Sequence, residues 1–308
     1  MRIREELSIY KTNLLYFILA MVFLLVGGMT QNVNIFFGVL VTEVLIIALP
    51  SIMFVKLQGL NLKKVFRLNK IEFKNIILIF FITILVYPIS VFFQTIFVSI
   101  IDLLRPLNPD IIPLPVEISQ TPFLWAVFFV AVLPGICEEI MFRGTILRAY
   151  EKIGIKRAII ITAILFGMFH FNIINFIGPT ILGIVFGIMV YKTNSIYSSM
   201  IGHTLNNSIA LVLNYFMMKN MDTINNISGQ ETDVDTLQTI MAFAIVGVFI
   251  LLLIKIVKTL LNKLTPSTVE YLEEIETEYV HNNNFLSYTP IIIVSIMFFI
   301  FNFMFIFI

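Results

Sequence analysis

The chain has 308 residues, of which 59% are hydrophobic and only 13% charged, with a mean hydropathy of +0.97, a balance that excludes an ordinary soluble domain. Twenty Lys and Arg against nineteen Asp and Glu leave a formal charge of +1, so there is no basic field for nucleic acid, and partners are expected in or near the lipid bilayer. The single cysteine, Cys137, excludes an internal disulfide and a cysteine-cluster metal site; it reads as a small buried apolar residue.

Apolar runs long enough to cross a bilayer recur from end to end. They predict an all-α, polytopic transmembrane bundle of eight to nine spans, placed near 13–29, 34–55, 75–101, 123–148, 157–172, 177–191, 196–217, 239–261 and 288–308. The fifth and sixth are short and could be partly re-entrant. The first run follows Arg2, Arg4 and Lys11, as a secretory signal would, but it ends Gly27-Gly28-Met29 without a small-x-small cleavage site. It reads as an uncleaved first span.

Basic residues near span ends mark the cytoplasmic side. The connector 56–74 carries Lys56, Lys63, Lys64, Arg67, Lys70 and Lys74, which places it inside and the N-terminus inside with it. The same parity puts Arg143, Arg148, Lys152, Lys156 and Arg157 inside, followed by Lys192 and then Lys255, Lys258 and Lys263. The outer loops 102–122 and 218–238 are acidic by comparison. Glu270, Glu273, Glu274, Glu276 and Glu278 form a solvated face on the connector before the last span. No repeat relates the two halves, which weakens an inverted-repeat transporter. The wealth of Ile, Phe, Lys and Asn suggests an AT-rich bacterial source, and hence the plasma membrane.

Ionisable side chains inside a bilayer cost roughly 2.5–3.5 kcal/mol each on insertion scales, so a group of them demands a reason. Glu138, Glu139 and Arg143 lie on the fourth span, His170 on the fifth, and His203 with Asn207 on the seventh. Counted at about 1.5 Å of rise per residue from the inner ends, Glu138, His170 and His203 stand at depths of roughly 15, 20 and 12 Å. Three helices thus bring polar groups to one level in the cytoplasmic half.

Glu139 and Arg143 are spaced i, i+4 and can pair, while Glu138 points about 100° away around the helix and keeps no such partner. A spare carboxylate in a partly dehydrated cavity suits a general base acting on water. His203 and Asn207, also i, i+4, are two donors on one face and fit the oxyanion of a tetrahedral intermediate. His170 can orient the same water or bind a metal. Glu138, His170 and His203 would be the ligands if a divalent metal such as zinc is bound, but the His-Glu-x-x-His helix is absent. Gly183 and Gly187 form a small-xxx-small packing step. Glu43, alone in mid-span on the second helix, either faces the cavity or pairs with a partner helix. His281 sits in a polar loop without an assigned role.

At these residues the chain resembles a known family. Glu138-Glu139-Ile140-Met141-Phe142-Arg143 is similar to a Glu-Glu-x-x-x-Arg motif, Phe166-Gly167-Met168-Phe169-His170 to Phe-x-x-x-His, and His203-Thr204-Leu205-Asn206-Asn207 to His-x-x-x-Asn/Asp. Together they look like the CPBP (Abi) family of intramembrane proteases, which includes CAAX prenyl endopeptidases and bacteriocin-processing and immunity proteins. The resemblance covers roughly 120–217. It implies three parts: an N-terminal region of three spans over 1–119, a protease core over 120–217, and an outer loop with two C-terminal spans over 218–308. It further implies a cavity open to the cytoplasm, with Glu138 activating water beside His170, and His203 and Asn207 stabilising the oxyanion. The substrate would be a membrane-associated peptide or protein, prenylated in the CAAX case. Two other classes stay open: a non-catalytic membrane scaffold or immunity/secretion partner, and a proton-coupled transporter.

Overall fold

A computed structural model describes residues 7–104, 121–220, 236–266 and 285–307. His281 and the acidic run from Glu270 to Glu278 lie outside the described residues, as do most of the two acidic outer loops. The described residues contain nine long helical rods. They are α1 (Ile9–Val33), α2 (Ile35–Leu57), α3 (Phe73–Leu104), α4 (Phe123–Ile153), α5 (Ile155–Met168), α6 (Ile177–Thr193), α7 (Tyr197–Lys219), α8 (Thr236–Leu261) and α9 (Thr289–Phe307). The architecture is an all-helical, polytopic membrane bundle.

Seven rods are long and apolar enough to cross a membrane. The two exceptions are α5 and α7. With 14 residues α5 is about 21 Å long, short of the ~30 Å of a hydrocarbon core. Residues such as His203, Asn206, Asn207, Ser208 and Asn214 keep the 23-residue α7 from reading as a lipid-facing span. Both stand among the other helices, so their polar groups meet protein rather than lipid. The outward faces of α3, α8 and α9 expose Phe81, Ile245, Val248, Leu251, Phe299 and Ile300, the surface that a bilayer solvates.

Local chemistry sets the breaks between rods. Asn34, in extended backbone, ends α1 and caps α2 by accepting the Phe37 N–H at 2.9 Å. Gly154, at φ 102°, makes the sharp turn between α4 and α5. Asn194, at φ 50°, ends α6 in the left-handed region that Asn tolerates. Pro50 and Pro134 lie inside α2 and α4, each directly after a stretch of wider π-helical winding, Val41–Ala48 and Phe128–Val132. The wider turn accommodates the ring and the missing N–H.

The fifth rod departs from the span 157–172 expected from sequence, because it stops at Met168 and Phe171 takes φ 47°. A phenylalanine in that region is an outlier held by its surroundings; its side chain is buried. The broken turn that follows is satisfied from outside. Asn302 of α9 accepts the Ile173 N–H at 2.7 Å, and Gln94 of α3 accepts the Gly178 N–H at 2.7 Å. Asn172 accepts the Ile174 N–H at 2.9 Å.

The main core joins α1, α4, α5, α6 and α9 around Tyr16, Phe142, Phe166, Phe169 and Phe298. A second core joins α3, α6 and α8. Polar ties run between the ends of the chain: Tyr150 of α4 donates to Asn13 of α1 at 2.7 Å, and Asn13 donates to the Ser287 carbonyl at 2.7 Å. At the end of α4, Glu151 binds both Arg67 and Arg148, which fastens the 58–72 connector to the bundle.

Candidate active site

Two close approaches build the site. Gly135 on α4 lies against the backbone of Thr204 on α7, where an added Cβ would stand 2.9 Å from the Thr204 nitrogen. Only a residue without a Cβ lets the two helices meet there. Glu138 follows Gly135 by one turn and His203 precedes Thr204, so this contact places the carboxylate beside the imidazole. The second approach is at Gly183 on α6, whose Cβ would stand 2.9 Å from the Ala163 Cα of α5; at Gly187 the gap to Ile159 is 3.1 Å. The small-xxx-small step of the sequence thus does pack α6 onto α5.

Glu139 and Arg143 pair at 2.7 Å across one helical turn, both with fully buried side chains. The guanidinium also donates to the Gly183 carbonyl at 3.1 Å and lies over the rings of Phe166 and Phe186, 4.6 and 5.4 Å from their centroids. A buried ion pair is retained only when its remaining groups are well placed, and this one ties α4 to α6. Oε1 of Glu139 is shared with Nδ1 of His203 at 2.9 Å. Since a carboxylate facing a guanidinium can only accept, the imidazole donates. That hydrogen bond fixes the ring and turns Nε2 toward Glu138, whose Oε2 is 3.9 Å away. Phe186 stacks on the same ring at 5.4 Å and 25°.

His170 stands just past the end of α5. Its Nδ1 lies 3.1 Å from the Phe166 carbonyl, which can only accept, so Nδ1 carries a hydrogen and donates it. Phe166 meets both histidines edge to face, at 5.5 Å for His170 and 5.6 Å for His203. This phenyl, which the sequence offered only as a motif position, touches both imidazoles.

Asn207 has a structural duty. Pro134 has no N–H to give the carbonyl four residues back, that of Val130, and Asn207 Nδ2 donates to that carbonyl at 3.2 Å. Its Oδ1 accepts from the buried Asn206 at 3.2 Å. The contact with Val130 uses one of the two hydrogens of the Asn207 amide. Glu138 itself is only partly buried.

Glu43, whose direction the sequence left open, faces the site. It is 7% exposed, on a segment of α2 packed against Leu133–Glu139, and its carboxyl lies within electrostatic range of both Glu138 and Cys137. Its Oε2 has no hydrogen-bond partner. The lone mid-span charge was the signal; its address needed the packing of α2 on α4. Among the described residues, no group of three His, Cys, Asp or Glu is arranged to hold a metal ion.

Residues 120–209 match the family model described as type II CAAX prenyl endopeptidase, Rce1-like, in agreement with the CPBP resemblance of the three motifs. The matched stretch holds Glu138, Glu139, Arg143, His170, His203 and Asn207 and leaves Glu43 outside. Neither the curated proteins nor the solved structures compared contain a match to the chain.

Proposed function

From the likeness of residues 120–209 to type II CAAX prenyl endopeptidases, we propose that this integral membrane protein hydrolyses a peptide bond in a membrane-associated peptide or protein, with Glu138 as the base. The observation that carries the reading is the pairing of Nε2 of His203 with Oε2 of Glu138 at 3.9 Å, on a ring held from behind by Glu139. At that distance the two atoms do not hydrogen-bond each other directly, and both can reach one oxygen held to the side of the line between them.

In this mechanism Glu138 takes one proton from a water molecule whose second hydrogen is accepted by Nε2 of His170. The hydroxide oxygen adds to the carbonyl carbon. The resulting oxyanion is met by the remaining amide hydrogen of Asn207 and by Nε2 of His203, a donor when it carries the second proton, with Glu139 as its counter-ion. Glu138 then returns its proton to the nitrogen, and the carbon–nitrogen bond breaks. The products are a carboxylic acid, which passes its proton to solvent or to the amine, and the amine. Substrates carrying a prenylated C-terminal Cys-a-a-X segment fit the family likeness and the membrane setting, and the basic inner loops favour an opening on the cytoplasmic side.

The test is cleavage of a quenched fluorescent peptide ending in a farnesylated Cys-a-a-X segment by the purified protein in liposomes, with products identified by mass spectrometry. Wild type cleaves, whereas Glu138→Gln and His203→Ala insert normally and do not. A Glu138→Gln variant as fast as wild type would end the hydrolytic reading and favour a scaffold.

A further inference from the structure

The matched segment accounts for one half of a peptide bond. In the mechanism proposed above, His203 and Asn207 donate to the carbonyl oxygen, and the water deprotonated by Glu138 adds to the carbon. The N–H on the other side of the scissile bond has none of these groups to accept it. A peptide drawn into an apolar cavity must have both backbone groups satisfied, because an unpaired amide hydrogen there costs as much as a lost hydrogen bond. The site therefore needs an acceptor next to the base that returns its proton to that nitrogen.

Glu43 answers the description. Its side chain is more than nine-tenths buried, and Oε2 is a buried oxygen without a hydrogen-bond partner. A carboxyl left in this condition is costly unless something arrives to use it. It sits on the Val41–Ala48 stretch of π-helical winding, where the Leu49 N–H reaches back five residues to the Val44 carbonyl; such local widenings recur at functional sites. The same segment packs against Leu133–Glu139, and the charges of Glu43 and Glu138 bear on each other.

We propose that Glu43 is a further catalytic residue, whose Oε2 accepts the N–H of the scissile bond and holds the leaving nitrogen toward Glu138. The proposal rests on the hydrolytic reading above and adds a residue from α2, a helix outside the family match. The step balances without Glu43 changing state. The proton taken from water passes from Glu138 to the nitrogen as the carbon–nitrogen bond breaks, and Glu43 accepts a hydrogen bond before and after. Either form of the carboxyl offers that oxygen, and so does a glutamine.

The experiment compares Glu43→Leu, Glu43→Gln and Glu138→Gln on two probes. One is the farnesylated peptide; the other is its depsipeptide, with an ester oxygen replacing the N–H at the mapped cleavage site. Glu43→Leu lowers kcat on the peptide roughly 10- to 100-fold, Glu43→Gln stays within about 5-fold of wild type, and on the ester, which has no N–H to accept, both match wild type. Equal slowing of peptide and ester by Glu43→Leu, or no slowing of either, overturns the role of Glu43 and leaves the hydrolytic reading standing. Glu138→Gln at wild-type speed on both probes overturns the hydrolytic reading, and the role of Glu43 with it. Thermal unfolding of the same preparations shows whether each variant folds, and a Glu43→Leu protein that does not is replaced by Glu43→Met under the same criteria.

Discussion

Glu139 and His203 share a hydrogen bond of 2.9 Å between Oε1 and Nδ1, on an oxygen that Arg143 also holds at 2.7 Å. One buried carboxylate therefore orients the imidazole and neutralises the guanidinium. Exchange of Glu139 for Gln keeps the volume but offers Nδ1 an amide of either polarity, so the ring can turn over. Cleavage by Glu139→Gln is expected to fall by up to about 10⁴-fold, as when an orienting carboxylate becomes an amide. The check is kcat on the farnesylated peptide, with KM little changed.

Arg143→Ala removes one member of a fully buried pair and leaves the Glu139 charge uncompensated. Loss of one partner in such a pair costs about 3–5 kcal/mol. A large drop in the thermal unfolding temperature of the detergent-solubilised protein is expected. The double variant Arg143→Met with Glu139→Leu should recover much of that stability while remaining inactive.

Gly135→Ala forces α4 from the Thr204 backbone. Glu138 and His203 then part, and displacement of about 1 Å at reacting groups can cost 10²-fold in rate. Gly59, at the surface with open space around it, is the control position, although its φ of 72° makes Asn a better replacement there than Ala. Cleavage assays on Gly135→Ala and Gly59→Asn separate the two effects.

Tyr150→Phe deletes the hydroxyl that donates to Asn13 and leaves the Asn13 Oδ1 without that donor. The cost is about 1–3 kcal/mol. Turnover should change little, since the tie lies between α1, the end of α4 and the turn that precedes α9. Thermal unfolding and kcat measured together show the separation.

The connector 56–74 is expected inside. In a Cys137→Ala background, a cysteine at Lys63 should react with an impermeant thiol reagent only from the cytoplasmic face, and one at Asn108 only from the opposite face. Labelling of intact cells against inverted vesicles decides it.

Sequence alone revealed the rods, because apolar runs are local, and it revealed the Glu139–Arg143 pair, because i, i+4 spacing is local. It extended the fifth span to 172 since nothing in the pattern foretold that Phe171 would adopt φ 47°; tertiary packing imposes that turn. It paired Asn207 with His203 as a donor but could not see that Pro134, on another helix, leaves the Val130 carbonyl for Asn207 to satisfy. Glu43 was conspicuous as a charge and had no address, because its neighbours are 95 residues away in the chain.

The interrupted turn after α5 borrows its hydrogen-bond acceptors from Gln94 and Asn302, residues that precede and follow the 120–209 stretch. A fragment cut down to that stretch would carry the motifs yet present bare amide hydrogens of Ile173 and Gly178 to hydrocarbon. The flanking helices are thus internal solvent for a backbone that cannot solvate itself. Any attempt to transplant the motif-bearing helices into another membrane scaffold has to supply those two amide oxygens first.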